Sequence, residues 1–271
     1  MAAPPPLLLL LVIFSGFLLT GIHSHASSSS GGVKFSYLGQ NGPSKWGSLD
    51  PHFSICSTGK SQSPVDIQKS KVVRDKKLKP LFRQYHVSNL TLVDNLVNIG
   101  VHFGENAGLM ISDGKHYKLK QMHWHTPSEH TIDGHHYDAE LHLVHMADDG
   151  TYAVVGIVYS VGKPDSVVRK IQKKLTKLAS HDRGYGYQYE IPLGKISMKQ
   201  LQKKTRKYYK YQGSLTTPPC TESVTWYLLG KVKSISEEQI QALKVPLGLG
   251  WKSNSRPVQP LNGRQIHLYK H

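Results

Sequence analysis

The chain is poor in cysteine, in acidic residues and in internal punctuation. Its 271 residues contain only two cysteines, Cys56 and Cys220. That is too few for a closed metal site built on thiolates. The pair either forms one disulfide closing a long loop or stands as two unrelated buried thiols, and in an exported chain the disulfide is the simpler reading. Acidic residues number 18 against 34 Lys+Arg, a formal charge of +16. Yet only 19% of residues are charged and 38% are hydrophobic, a composition that folds rather than staying solvated. Past residue 33 no low-complexity break or repeat divides the chain, so one large domain is expected over 34–271.

No lysine or arginine precedes Lys34, so the usual basic start of an export signal is missing. The rest of such a signal is there. An apolar run from Leu7 to about Ile22 ends in "HSHASS", with a cleavage point after Ala26. Residues 1–26 therefore read as a signal peptide and 27–33 as a Ser/Gly-rich linker. A retained anchor is the other reading, although the run is at the short end of the ~20 residues a span needs. "NLT" makes Asn89 an acceptor for N-glycosylation in an exported chain.

The positive charge is densest over 163–210, in "VVRKIQKKLTKL" and "KQLQKKTRKYYKY". Val167, Val168, Ile171, Leu175 and Leu178 recur at helical spacing, which predicts an amphipathic helix with a lysine-rich outer face. That face is either simply solvated or attracted to acidic polysaccharide or another anionic surface. No nucleic-acid motif accompanies it, and a nucleic-acid partner is not expected. Elsewhere "LTLVDNLVNIGVHF", "HYKLKQMHWH", "AELHLVHM", "YAVVGIVYSVG" and "VTWYLLGKVK" are rich in β-branched and aromatic residues and predict strands. A second helix is expected in "SEEQIQAL", with Ser236 as cap and Gln239 three residues on. The fold class is mainly β, with few helices.

Histidine is crowded in "QMHWHTPSEH" and "ELHLVH". Strand alternation places Gln121, His123 and His125 on one face, and Glu140, His142 and Val144 on one face of the next run. Two adjacent strands can then aim His123, His125 and His142 at one point, a ligand set that suits Zn2+ and leaves a fourth position for water. Gln121 and Glu140 are placed to accept the remaining ring N–H of His123 and His142. Taken singly, each histidine is an ordinary strand residue. His135 and His136 read as exposed bystanders in a turn, and His145 as a core histidine with a hydrogen-bond partner.

"NGPSKWGSLDP", "QSPVDI", "QMHWHTPSEHTIDG", "AELHLVH", "GSLTTPPCTESVTW" and "NSRPVQPLNGRQI" together resemble, in order and spacing, the α-class carbonic anhydrases. The Cys56/Cys220 pair is similar to that of secreted members, and the plant relatives include the dioscorin and nectarin group. The resemblance implies a single domain around a large twisted, mostly antiparallel sheet, and reversible hydration of carbon dioxide to bicarbonate by zinc-bound hydroxide. It implies zinc on His123, His125 and His142, and Thr216 passing a hydrogen bond to Glu129. Asn254 would give a backbone carbonyl to His125. Val144, Val154, Leu215, Thr217 and Trp226 would surround the substrate. At the place where fast members carry a proton-shuttling histidine after glycine, this chain has Leu96-Val97, which implies slow or buffer-dependent proton release. His102 is expected in the following strand, away from the cavity mouth. An extracellular or apoplastic location follows, or a plastid reached through the secretory route. A storage or polyanion-binding protein on the same scaffold is the alternative.

Overall fold

The computed structural model describes residues 35–180, 189–202 and 205–271. The expected signal peptide (1–26), the linker (27–33) and residues 181–188 and 203–204 of the basic segment lie outside the described residues.

The alternating stretches become the strands of one thirteen-stranded sheet. In chain order these are β1 (Val73–Arg74), β2 (Phe82–Tyr85), β3 (Ser88–Asp94), β4 (Ile99–Phe103), β5 (Gly108–Ser112), β6 (Lys115–His125), β7 (Ala139–Met146) and β8 (Tyr152–Val161). They continue with β9 (Tyr189–Ile196), β10 (Lys207–Ser214), β11 (Glu222–Leu229), β12 (Lys233–Ile235) and β13 (His267–Lys270). The spatial order is β9-β3-β4-β6-β7-β8-β11-β10-β13-β1, with β5 joining β2 to β6 and β12 lying on β8. Pairings are antiparallel except β8–β11, β8–β12 and β13–β1. The sheet is thus mixed, with its antiparallel run at the centre. A separate three-stranded sheet is formed by Asp66–Ile67, Thr131–Ile132 and His135–His136.

Two stretches that read as single apolar runs are each divided by a turn. "LTLVDNLVNIGVHF" becomes β3 and β4 around a tight hairpin in which Asn95 N donates to Asn98 O at 3.0 Å and Leu96 has φ 69°. A positive φ at the first central residue suits the right-handed twist of a hairpin and is ordinarily left to glycine. "VTWYLLGKVK" divides at Gly230–Val232 into β11 and β12, which pair with different stretches of β8.

Period-2 alternation sends the two faces of the central strands to different tasks. On one face Leu92, Val101, Met122, Leu143, Val155 and Tyr227 are register neighbours and belong to the main core. This face is covered by helix α1 (Ser166–Ala179), whose buried residues are Val167, Val168, Ile171, Leu175 and Leu178. Asp165 caps α1 by accepting from the N–H groups of Val167 and Val168, satisfying two of the four donors a helix start leaves open. Helix α2 (Glu237–Lys244) begins with a capping box of Ser236 and Gln239. On the other face of the sheet, Val93, Gly100, His123, His142, Gly156 and Leu228 lie side by side across six strands.

Candidate metal centre

The register that aligns β4, β6, β7 and β8 sets Gly100 beside His123, His123 beside His142 and His142 beside Gly156. The two glycines leave room for the rings and their partners. A Cβ on Gly156 would meet Glu140 Oε1 at 2.9 Å, and one on Gly100 would meet the Asn95 side chain at 2.9 Å. His125, two residues past His123 on the same strand face, completes a cluster with ring centroids 4.6–5.1 Å apart.

Each ring has one nitrogen fixed by a partner. His123 Nδ1 donates to Gln121 Oε1 at 2.8 Å, His125 Nδ1 to the Asn254 carbonyl at 2.7 Å, and His142 Nε2 to Glu140 Oε1 at 2.9 Å. By elimination, Nε2 of His123, Nε2 of His125 and Nδ1 of His142 present lone pairs, and the donor atoms of the three residues lie within 4.8 Å of one another. His125 Nε2 is buried with no hydrogen-bond partner. An orphaned buried nitrogen in a trio of imidazoles is what a metal would satisfy. Burial holds the rings neutral, the form that ligates. It lowers the pKa of His123 and His142, and that of His125 to about 4 against the opposing bond to Asn254.

His130, Glu140 and His142 also stand close enough to share an ion, but hydrogen bonds account for them. Glu140 Oε1 accepts from His130 Nδ1 at 2.7 Å as well as from His142, while Oε2 accepts from the backbone N–H of Glu129 at 3.0 Å and of His130 at 2.8 Å. Burial alone would raise the Glu140 pKa. The charges and hydrogen bonds of His130 and His142 outweigh it and hold the carboxyl well below its usual range. The chain continues from His130 Nε2 to the Tyr211 hydroxyl at 2.7 Å, and from there to Ser63 Oγ at 2.8 Å.

Glu129 lies under the rings. Oε1 accepts from Arg256 N at 3.0 Å, and the Thr216 side chain also hydrogen-bonds the carboxylate. Oε2 has no hydrogen-bond partner and sits 3.6 Å from His125 Nε2 and 3.9 Å from His142 Nδ1. Burial pushes the Glu129 pKa up to about 7, against the pull of His142 and of these hydrogen bonds. Beside the rings, Gln121, Val144, Val154 and Trp226 form the next row of register neighbours. The Trp226 ring is 4.8 Å from that of His142, and Leu215 packs against the same cluster. Thr217 is half-buried in the loop 215–221. That loop is tied to the amino-terminal segment by the Cys56–Cys220 disulfide, with Cα atoms 5.1 Å apart across 164 residues.

The hairpin before β4 puts Leu96 in the left-handed region, and buried Val97 offers no ionisable group there. Its carbonyl accepts from Asn254 Nδ2 at 3.1 Å, tying the turn to the residue that holds His125. His102 is in β4, as the sequence reading has it, but paired with Gln121 and exposed on the same face as His123. That correction follows from alternation, since His102 is two residues past Gly100. His135 and His136 are exposed, and His145 is buried on the opposite face, bonded to the Tyr85 hydroxyl at 2.8 Å and the Ala153 carbonyl at 3.2 Å. Asn89 is exposed in β3. Two residues of the network escaped the sequence reading. His130 bridges Glu140 to Tyr211, and buried Arg256 donates through its guanidinium to Gln62 Oε1, Ser63 O and Cys56 O at 2.8 Å each. Both stand inside quoted motifs, and that position was the only signal available for them.

Comparisons with known proteins agree with this geometry. The chain is 39% identical over 264 residues to alpha carbonic anhydrase 7 of Arabidopsis thaliana, covering 95% of this chain and 94% of that protein. Its fold is similar to the crystal structure of dioscorin complexed with ascorbate, with TM-score 0.84 and 33% identity over 88% of this chain and 99% of that one. It is also similar to the α-carbonic anhydrase of Thermovibrio ammonificans in complex with sulfanilamide, with TM-score 0.77 and 36% identity over 88% of this chain and 100% of that one. The model of the eukaryotic-type carbonic anhydrases matches residues 41–270, and the chain belongs to that family.

Proposed function

We propose that this chain is an exported, zinc-dependent enzyme interconverting carbon dioxide and bicarbonate. The observation that carries the reading is the trio of imidazole nitrogens left free by the bonds to Gln121, Asn254 and Glu140, with the Thr216–Glu129 pair beside them. A zinc ion held by His123, His125 and His142 supplies the Lewis acidity that makes water a nucleophile at neutral pH.

The remaining work belongs to the chain. Thr216 donates its hydroxyl proton to Glu129, so its oxygen is left to accept a hydrogen bond from the reacting oxygen and orient its lone pair. Val144, Val154, Leu215 and Trp226 offer an apolar wall where carbon dioxide, small and weakly polar, is placed without polar contacts. Thr217 neighbours the product. Val97 cannot take up the proton released in each turnover, so that step depends on external buffer. The disulfide and the exposed Asn89 sequon support passage through the secretory route, with residues 1–26 as the signal. Among the described residues no helix is long and apolar enough to cross a membrane.

A second reading, a storage or polyanion-binding protein on the same scaffold with little activity, is favoured by the likeness to dioscorin. Carbon dioxide hydration by the mature chain separates the two, with zinc content measured on the same sample in weak and in concentrated imidazole buffer. Stoichiometric zinc with activity that climbs with buffer is expected. Stoichiometric zinc with no activity in either buffer would leave the second reading standing alone.

A further inference from the structure

On the face of the sheet covered by α1, a cavity of about 940 Å³ opens between the start of α1, Arg83 in β2, the start of β10 and the β11–β12 connection. Its apolar floor includes Ile157 and Leu201 of the main core. Four cationic side chains from three distant parts of the sequence line it, namely Arg83, Arg206, Lys231 and Lys233. Lys207 also borders it, but that ammonium lies over the Tyr209 ring at 4.9 Å. Among the described lining residues the one carboxylate is Asp165, which is already engaged. It caps α1 and stands 3.8 Å from Lys233 Nζ.

Arg83 decides what such a cavity can take. It is only 7% exposed, and its Nη2 is fixed by donation to Thr205 Oγ1 at 2.7 Å. A guanidinium withdrawn from water among other cations favours the arrival of an anion. Its planar fork matches the paired oxygens of phosphate, sulfate or carboxylate. The exposed Arg206 and Lys231 sit where further negative groups would be met. A long acidic polymer lying on the surface would reach those two and not Arg83. The volume is at the upper end of the ~300–1,000 Å³ common for small-molecule sites. Lys173 and Lys174 on the outer face of α1, although part of the densest basic segment, do not line it.

We infer that this cavity is a binding site for a small, multiply charged oxyanion, a phosphorylated or sulfated compound of about sugar size. It is separate from the metal centre and independent of catalysis there.

The test is calorimetric titration of the full mature chain with inorganic pyrophosphate at about 0.15 M salt, before and after metal removal by chelator. Saturable binding at one site per chain, unchanged by chelation, is expected. The pair Arg206→Gln and Lys231→Gln, both at exposed positions, removes two charge-assisted contacts and should weaken binding roughly tenfold or more. The pair Lys173→Gln and Lys174→Gln removes the same charge from outside the cavity and should change it less than about twofold. Arg83→Lys keeps the charge but not the fork and should also weaken binding, with its melting temperature checked alongside. Equal losses from the two pairs would reduce the effect to net charge and overturn the inference. So would loss of binding on chelation, absence of saturation, or tight binding of long heparin chains with none of pyrophosphate.

Discussion

Replacing Glu140 by glutamine tests whether the network behind the rings is what prepares them for a metal. The carboxylate accepts four hydrogen bonds, two from imidazole nitrogens at one oxygen and two from backbone N–H groups at the other. An amide keeps only one accepting atom. With its NH2 toward the rings, His130 and His142 must give up their N–H at that side, and the proton of His142 moves to Nδ1, the nitrogen meant for the metal. With its NH2 toward the backbone, the N–H groups of Glu129 and His130 lose their acceptor at about 1–3 kcal/mol each. Either orientation damages the centre. Loss of a partner that orients a metal-bound histidine costs roughly 10–100-fold in affinity, or about 1.4–2.7 kcal/mol. The assay is zinc affinity by chelator competition, paired with urea unfolding of the metal-free protein. Glu140→Gln should bind zinc at least about tenfold more weakly and unfold at lower urea. Zinc affinity within about twofold of wild type, with an unchanged midpoint, would refute the role given to this carboxylate.

Val97→His should raise turnover in weak buffer roughly tenfold or more and leave it nearly unchanged in concentrated imidazole. Equal rates for variant and wild type in weak buffer would show that proton release is not limiting. Burial lowers the His145 pKa to about 3, below the ~6.5 of an unfolded chain, so the unfolded state takes up the proton first as pH falls. The stability held by the neutral ring is complete above pH ~6.5 and is lost on acidification toward pH 3, by about 2 kcal/mol at pH 5. The gap between wild type and His145→Gln, both metal-free, should therefore narrow by about that amount between pH 7 and pH 5 in urea melts; a constant gap would contradict it. Removing the disulfide by Cys56→Ser with Cys220→Ser frees a loop of 164 residues and should cost about 5 kcal/mol in the chain-entropy account, read as a lower melting midpoint. An unchanged midpoint would mean that the surrounding packing already restrains the unfolded chain.

What could be read in the sequence is what repeats with a local period. The alternation of His123, Trp124 and His125, and of Glu140, Leu141 and His142, is enough to sort ligating faces from core faces. The five apolar residues of α1 follow from helical spacing in the same way. Long-range packing leaves no such trace. His130 is one more histidine in a crowded run until Tyr211, 81 residues away, arrives at its Nε2. Arg256 looks like surface charge, yet its guanidinium is enclosed by carbonyls and an amide about 200 residues earlier in the chain. The place of His102 turned on a single step of strand parity, which a similarity of motifs does not supply. The cavity behind α1 draws on Arg83, Arg206 and Lys231, which share no pattern in the sequence at all.

The tie between Cys56 and Cys220 has a consequence in time. A chain exported amino-terminus first presents Cys56 while its partner is still 164 residues from synthesis, an interval of roughly 10–30 s at ~5–20 residues per second. During that interval the thiol must stay unpaired or be paired wrongly, with a second nascent chain among the available partners. The loop bearing Thr216, together with Asn254 and Arg256, is made last. The centre is therefore assembled only from a finished chain, and a truncated product would carry the three histidines without the residues that orient them.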